Sequence, residues 1–593
     1  MTEKTNPDTI NIEDLPSDIV QSTLPFLSPN DLKNLSLTNK YFHNLLSQDE
    51  STTVWHELFH KVFGTQHTND EPFQSKNSEE YKSVSETICI NTYPDLNWHE
   101  RFRKRSHDSA FYTWGCLKHS RLGYTANSNP NLLQSNINNV GISSKFGVNK
   151  PTKVPWFNND PTADRTTSIS PQNSVVQISS GGFSFQILTS SGKIYSTGST
   201  FTGGHKGPGP LDLDHDYDPF RDFISHMESS FPRLRVPGRG LVNTTGSFNI
   251  QRISPTTTSN ASIGEPHPNI YQKLEEIEKY SSQYIPNNDH IRRMFTSNCF
   301  AAFQVEDVAT FFDEKNAPKF IAISSGRSHF IGLTDQNVLF SWDSPTSDFG
   351  AKIEFKDLPS RETNPILKIG CGWNFSCIYI YNIGLVVWSS RSSIQKGITE
   401  SFANYKIIPN TSELSGDNKI LDFACLQDNT VLYITTSGKQ IYLYKDGQTI
   451  TLDLDIKGRL LKITSCFSLI TIFTDQHSYM LKVSNGTIDY TSLSSLDLDI
   501  QGETIISLAA GDYHTIGLSQ RGNIYTWGTE SQQCGCLGLG APEYIVTQAM
   551  LGETEGRRNI KVLKPTKVEL EEGYKCIGIT GGGWHSGAIL IKK

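Results

Sequence analysis

Three glycines at fixed spacing constrain this chain more than any other feature. In Ile505-Ile-Ser-Leu-Ala-Ala-Gly511-Asp-Tyr-His514-Thr-Ile-Gly-Leu-Ser-Gln-Arg-Gly522-Asn-Ile-Tyr-Thr-Trp527-Gly528, an anchor glycine is followed by a second after 11 residues, and a third lies 17 residues after the anchor. Gly181, Gly192 and Gly198 repeat the frame in full. Gly326 with His329 and Trp342, and Gly372 with Trp388, keep parts of it. Ile420 to Lys445 keeps only Gly438, and Arg459 to Val483 keeps neither of the first two glycines. The last copy, Tyr574 to Ile591, has Gly582 and His585-Ser586 but lacks a second half. That half stands at the other end of the array, as Phe111-Tyr-Thr-Trp114-Gly115 and Arg121-Leu-Gly123. The segment Pro565-Thr-Lys-Val568 likewise recurs as Pro151-Thr-Lys-Val154. Self-similarity with a period of about 40–55 residues is the signature of a repeat architecture.

Six units plus one assembled from both ends make seven. Within a unit, Ile-x-x-Leu-x-x-Gly and Thr-Ile-Gly-Leu read as strands, and Gln520-Arg-Gly522-Asn as a hairpin turn where glycine supplies a positive φ. The expected fold is therefore mainly β: a seven-bladed β-propeller over residues 111–593, closed by strands from both ends, which solves the edge-strand problem. Residues 201–318 break the spacing. They begin with Gly203-Gly-His-Lys-Gly-Pro-Gly-Pro and read as a long insertion, with a short amphipathic helix at Ile270, Leu274, Ile277 and Tyr280. A second element is expected at Phe303-Gln-Val-Glu-Asp-Val-Ala-Thr-Phe-Phe. Such insertions either carry binding or are tolerated loops.

A small all-α domain is expected ahead of the propeller, over residues 10–64. In Leu15-Pro16-Ser-Asp-Ile19-Val20, Pro16 suits the first turn of a helix, and Ile19, Val20 and Leu24 fall on one stripe. Ser28-Pro29-Asn-Asp31 reads as an N-cap, Pro at the first helical position and an acid at the positive helix end. Leu32, Leu35 and Leu37 follow, then Tyr41, Phe42, Leu45 and Leu46. A small helical unit of this kind has more leucine than it can bury alone. Residues 65–110 read as a connector: a polar loop over 65–92, then a helix in Trp98-His-Glu-Arg-Phe102-Arg-Lys-Arg105, whose basic residues are expected on a solvated face.

The stretch from Leu15 to Leu46 resembles an F-box. It carries the opening Leu15-Pro16, the joint Leu27-Ser-Pro-Asn-Asp31-Leu32 and the later Leu37-Thr-Asn-Lys-Tyr-Phe42 in the right order. The glycine frame resembles the repeat of the regulator of chromosome condensation, and the domain order is similar to that of fungal F-box proteins of this architecture. The resemblance implies a substrate-recognition subunit of an SCF-type (Skp–cullin–F-box) ubiquitin ligase. Leu15, Pro16, Ile19, Leu24, Leu27, Leu32, Leu35 and Leu37 would bind the Skp adaptor and, through it, the cullin and RING subunits. The propeller would bind a protein substrate, with Phe183, Trp373 and Trp584, beside the anchor glycines, as candidate contacts on its rim. The resemblance to the repeat family implies one alternative, a guanine-nucleotide exchange factor for a Ran-like GTPase, and an F-box scaffold outside a ligase is another. The decayed repeats, the acidic balance and the fused F-box favour the receptor.

Catalytic and metal-binding residues are not expected. No P-loop, GxGxxG after a strand or GxSxG elbow is visible. His329, His514 and His585 recur at one repeat position, which points to packing or turn bonding. His56-Glu57-Leu58-Phe59-His60 matches the HExxH zinc-protease pattern, with Glu79 or Glu80 conceivable as a third ligand. Trp55, Leu58, Phe59 and Val62 form an apolar stripe on the same segment, so a packing helix is the expectation. Cys534-Gly-Cys536 reads as two loop thiols among ten scattered cysteines that suggest no disulfide framework. A net charge of −8 lacks the basic footprint of a nucleic-acid binder. Met1 to Thr9 shows no secretory signal, and no apolar run approaches the ~18 residues of a membrane helix. Cytoplasm, nucleus or both is the expected location.

Overall fold

The first strand of every repeat touches the first strand of the next, and the last touches the first, so the array closes into a seven-bladed ring. This is the architecture of a computed structural model. It describes residues 12, 15–27, 29–46, 52–65, 67, 83–117, 121–124, 129, 131–140, 145–155, 174–198, 291–294, 319–342, 345, 351–359, 362–391, 400–466, 468–484, 487–497, 499–500, 502–556 and 558–593. The seven inner strands are Val175–Ser180, Phe320–Ser325, Ile366–Cys371, Ile420–Cys425, Leu460–Cys466, Glu503–Ala510 and Tyr574–Gly582. Each pairs antiparallel with its successor, and each shifts register near its start. A bulge at this position bends the strand and raises its twist. It recurs even in the two blades that lack the anchor glycine.

The ring closes as the split repeat requires. Ser109–Cys116 lies between Lys145–Lys153 and His585–Lys592, in register from Ser109↔Ile591 to Gly115↔His585. Part of the apparent insertion also belongs to the ring, because Ile291–Met294 pairs with Ile194–Thr197 as the outer strand of its blade. The expected helix around Ile270 and the element at Phe303 lie outside the described residues.

The anchor glycines are explained by crowding at the axis. A Cβ on Gly511 would meet the His514 ring at 2.0 Å and the Gly582 carbonyl oxygen at 2.9 Å. On Gly326 it would meet the His329 ring at 2.2 Å and the Gly372 oxygen at 2.5 Å. The side chain three residues on thus fills the space a Cβ would need, while the next blade's backbone closes the other side. Those histidines bond across blades rather than within them. His329 Nε2 is 3.1 Å from Ser376 Oγ, His514 Nε2 is 2.8 Å from Ser586 Oγ, and His585 Nε2 is 3.3 Å from the Ser184 carbonyl oxygen.

Among the described residues, six α-helices precede the ring: α1 (Ser17–Thr23), α2 (Pro29–Ser36), α3 (Lys40–Leu45), α4 (Thr52–Phe63), α5 (Val84–Thr92) and α6 (Trp98–His107). Pro16 is the N-cap of α1, one place before the first turn. Asp31 lies in the first turn of α2, while Ser28, its expected cap, lies outside the described residues. Residues 84–92, expected as loop, are helical: Ser83 caps α5 by accepting from the Glu86 N–H, and Val84, Ile88 and Cys89 are buried. Helices and propeller share one core, in which Leu24, Phe59, Phe63, Ile88 and Phe102 are continuous with Phe111, Phe185 and Ile589.

Arg105 was expected on a solvated face and is instead fully buried at this joint. Its guanidinium donates to Ser85 Oγ, Ser109 Oγ and the Val176 carbonyl, and lies 4.4 Å above the Phe63 ring. It therefore ties α5, the closing strand and the next blade together. Burial pulls its pKa down to about 10, so it stays charged at neutral pH. His67, between α4 and α5, accepts a hydrogen bond from the Ile369 N–H of an inner strand at 2.9 Å.

Gly511→Ala is expected to cost about 1–3 kcal/mol, the usual penalty for overpacking, read as a lowered urea midpoint. Combined with His514→Ala it should cost clearly less than the sum of the two, because the second change vacates the space the first invades.

Candidate functional site

Two surfaces present the side chains singled out in the sequence, and they lie at opposite ends of the propeller strands. The first is on the helical unit. Leu24 and Leu32 are only 2% and 1% exposed and belong to its core, so they are not free to meet a partner without rearrangement. Leu15 and Leu35 are half-buried against that core. Pro16, Ile19, Leu27 and Leu37 are exposed, Leu37 to 74%. Phe26, absent from the expected set, is 79% exposed and lies in the short turn Leu24–Phe26 between α1 and α2. Lys61 of α4 fixes that turn: its Nζ donates to the Pro25 carbonyl at 3.0 Å and sits 4.9 Å from the Phe26 ring centre.

The second surface is formed by the anchor loops. In each blade, the loop from first to second strand comes to the axis at one end of the ring. The second-to-third turns lie at the other end, as antiparallel alternation requires. The helical unit packs on the turn end, where Asn91 Nδ2 donates to the Gln520 carbonyl at 2.8 Å. The anchor loops therefore open on the far face. Their backbones link blade to blade: Gly182 N–H donates to the Arg327 carbonyl, Arg327 N–H to Trp373, Trp373 N–H to Leu426, and Asp512 N–H to Gly583.

Phe183, Trp373 and Trp584 belong to these loops, at the axis rather than the rim. Arg327 joins two of them, lying 4.1 Å from the Trp373 ring centre and 5.5 Å from that of Phe183. Arg121 stacks on Phe183 at 5.0 Å. Cation–π contacts of this kind strengthen as water is excluded. Trp584 packs beside the buried thiols of Cys116, Cys534 and Cys536. Asp512 adds an acid to the ring, and its Oδ1 is sealed from solvent with no hydrogen-bond partner. Burial pushes its carboxyl up to about 6, against the pull of the Arg121 and Arg327 charges. The ring thus offers flat aromatic faces, two cations and a weakly held acid: features of a recognition surface.

Among the described residues, one cluster has metal-ligating geometry: His56, His60 and Glu86, where α4 meets α5. As expected, α4 packs through Val54, Leu58, Phe59 and Phe63. Glu79 and Glu80 lie outside the described residues.

Residues 505–536 and 521–589 match the Regulator of chromosome condensation (RCC1) repeat. The chain is 49% identical to SCF-associated factor 1 of Saccharomyces cerevisiae over 98% of both proteins. It is 25% identical to the F-box protein pof9 of Schizosaccharomyces pombe over 46% of this chain and 58% of that one. Among solved structures it resembles Prp20p of Saccharomyces cerevisiae, at 12% identity and a TM-score of 0.44 over 82% of this chain and 92% of that one. No helix among the described residues is long and apolar enough to cross a membrane.

A carboxyl with a higher pKa folded than unfolded binds more protons when folded. The stability tied to Asp512 is therefore present below about pH 4 and lost as the pH rises through about 6. Asp512→Asn keeps the shape and removes the titration. It is expected to be about 3 kcal/mol more stable than the parent chain at about pH 8, with the difference vanishing below about pH 4 in urea unfolding.

Proposed function

The chain belongs to the F-box protein family of SCF-associated factor 1, and from this we propose that it is the substrate-recognition subunit of a Skp–cullin–F-box ubiquitin ligase. The observation that carries the reading is the exposed apolar row on the helical unit. Pro16, Ile19, Phe26, Leu27 and Leu37 stand in water on a unit whose own core is already filled by Leu24, Leu32, Phe42 and Leu58. An apolar row on so small a domain favours a protein partner that covers it. In this reading the partner is the Skp adaptor, which brings the cullin and RING subunits. Docking falls to the exposed row, with Leu15 and Leu35 at its margin.

The propeller supplies the other half of the task. We assign substrate contact to the axial ring, with Phe183, Trp373 and Trp584 as its aromatic members. The ring faces away from the helical unit, which leaves it open to a target while the adaptor is bound. The chain performs no bond chemistry in this role. It holds target lysines near ubiquitin carried by another subunit, a gain in effective concentration.

Leu27→Asp and Phe26→Asp are expected to weaken adaptor binding at least about 30-fold, the loss that corresponds to a hot-spot change of about 2 kcal/mol. An affinity pull-down of the full chain read by mass spectrometry checks this. Adaptor and cullin should vanish from both variants, while proteins held by the propeller persist. Adaptor capture that survives both substitutions would show that the exposed row is not the docking face.

A further inference from the structure

His56 and His60 stand one turn apart on α4 and point at the same carboxylate. Glu86 of α5 holds its Oε1 2.9 Å from His56 Nε2 and its Oε2 3.3 Å from His60 Nε2. The two Nε2 atoms are 3.0 Å apart. The Glu86 side chain is only 1% exposed, whereas the histidines are 26% and 22% exposed. Glu86 Oε2 makes no hydrogen bond despite its burial. His56 is further held by the Trp98 ring, stacked on it at 4.1 Å.

With Glu86 ionised, protons satisfy this triangle poorly. A neutral imidazole carries either a hydrogen or a lone pair at Nε2, never both. If His60 donates to His56, the His56 lone pair faces the Glu86 oxygen 2.9 Å away. If His56 donates to Glu86, one hydrogen must also serve the His60 lone pair. Two hydrogens would collide across the 3.0 Å gap. A cation at the centre accepts all three lone pairs at once.

We propose that His56 Nε2, His60 Nε2 and the Glu86 carboxylate bind a zinc ion. Two imidazoles and one carboxylate are an established zinc donor set, with bonds of about 2.0–2.2 Å. A tetrahedral site with such bonds separates its nitrogens by about 3.3 Å, so the triangle needs only a slight opening. The fourth position lies on the exposed side of the histidines and takes water. The ion clamps the helix that packs the F-box to the helix seated on the propeller, because α5 is the element that reaches Gln520 and Gly522. The site is a tie between the two functional halves.

The test uses the full chain, stripped with a chelator and titrated with zinc by calorimetry and with cobalt(II) as a visible probe. One zinc per chain is expected, with the d–d absorption of a four- or five-coordinate cobalt site and a melting temperature raised by zinc. Glu86→Gln keeps the volume and should weaken zinc binding at least 100-fold. His60→Asn should abolish the cobalt spectrum while circular dichroism shows an intact fold. Failure of the parent chain to take up stoichiometric zinc overturns the proposal. So does zinc binding of unchanged strength in Glu86→Gln and His60→Asn, which would place the metal on other histidines.

Discussion

Seven blades meet at one axis, and the backbone there comes too close for side chains. That constraint orders the rest of the molecule. Gly181, Gly326, Gly372, Gly511 and Gly582 each bring an α-carbon against the next blade's backbone, with 2.3–2.9 Å between a built Cβ and the neighbouring carbonyl oxygen. One blade meets the same constraint differently. Leu426 stands where the anchor glycine is missing, and its N–H donates to the carbonyl of Thr430 instead of a residue three places on. The loop is one residue longer and passes through left-handed Asp428 and Asn429. In this blade a larger residue in a longer turn takes the place of a glycine in a short one.

The same axis suits the substrate contact proposed for it. A loop held by hydrogen bonds to the blade on each side loses little freedom when a ligand arrives, which lowers the entropic cost of recognition. Arg327 is positioned by two aromatic rings. Asp512 is set deep enough that its charge is costly. At the opposite face, Arg105 bonds helices and two blades together, so the two surfaces are parts of one rigid frame.

The ring was legible in the sequence because its crowding selects glycine at fixed intervals, and its closure was legible because the last repeat is visibly half a repeat. The faded copies were harder to read for a physical reason. A lengthened turn moves Gly438 to 12 places after Leu426, out of step with the frame. Helix α5 escaped because it is buried on several sides and shows no single apolar stripe. Arg105 looked like part of a basic patch, since a buried guanidinium and a solvated one have the same letter. Helical periodicity placed the F-box leucines on helices but did not tell Leu24 and Leu32, which face inward, from Leu27 and Leu37, which face water. Glu86 follows His60 by 26 residues, across a connector whose path no spacing rule predicts.

Closure by both ends gives the chain an order of assembly. The strand Ser109–Cys116 leaves the ribosome early and waits for its partner His585–Lys592, which is made more than 450 residues later. Until then its edge is open, and Tyr93, whose hydroxyl donates to the carbonyl of Lys592, has no counterpart. A chain cut short anywhere in the ring therefore keeps its F-box but leaves the joint beneath it unfinished. An open edge and an unseated helical unit are the surfaces chaperones and proteases recognise. The molecule is thus proofread by its own topology: only a translation product that includes this closing strand holds the helical unit and the axial loops in one body.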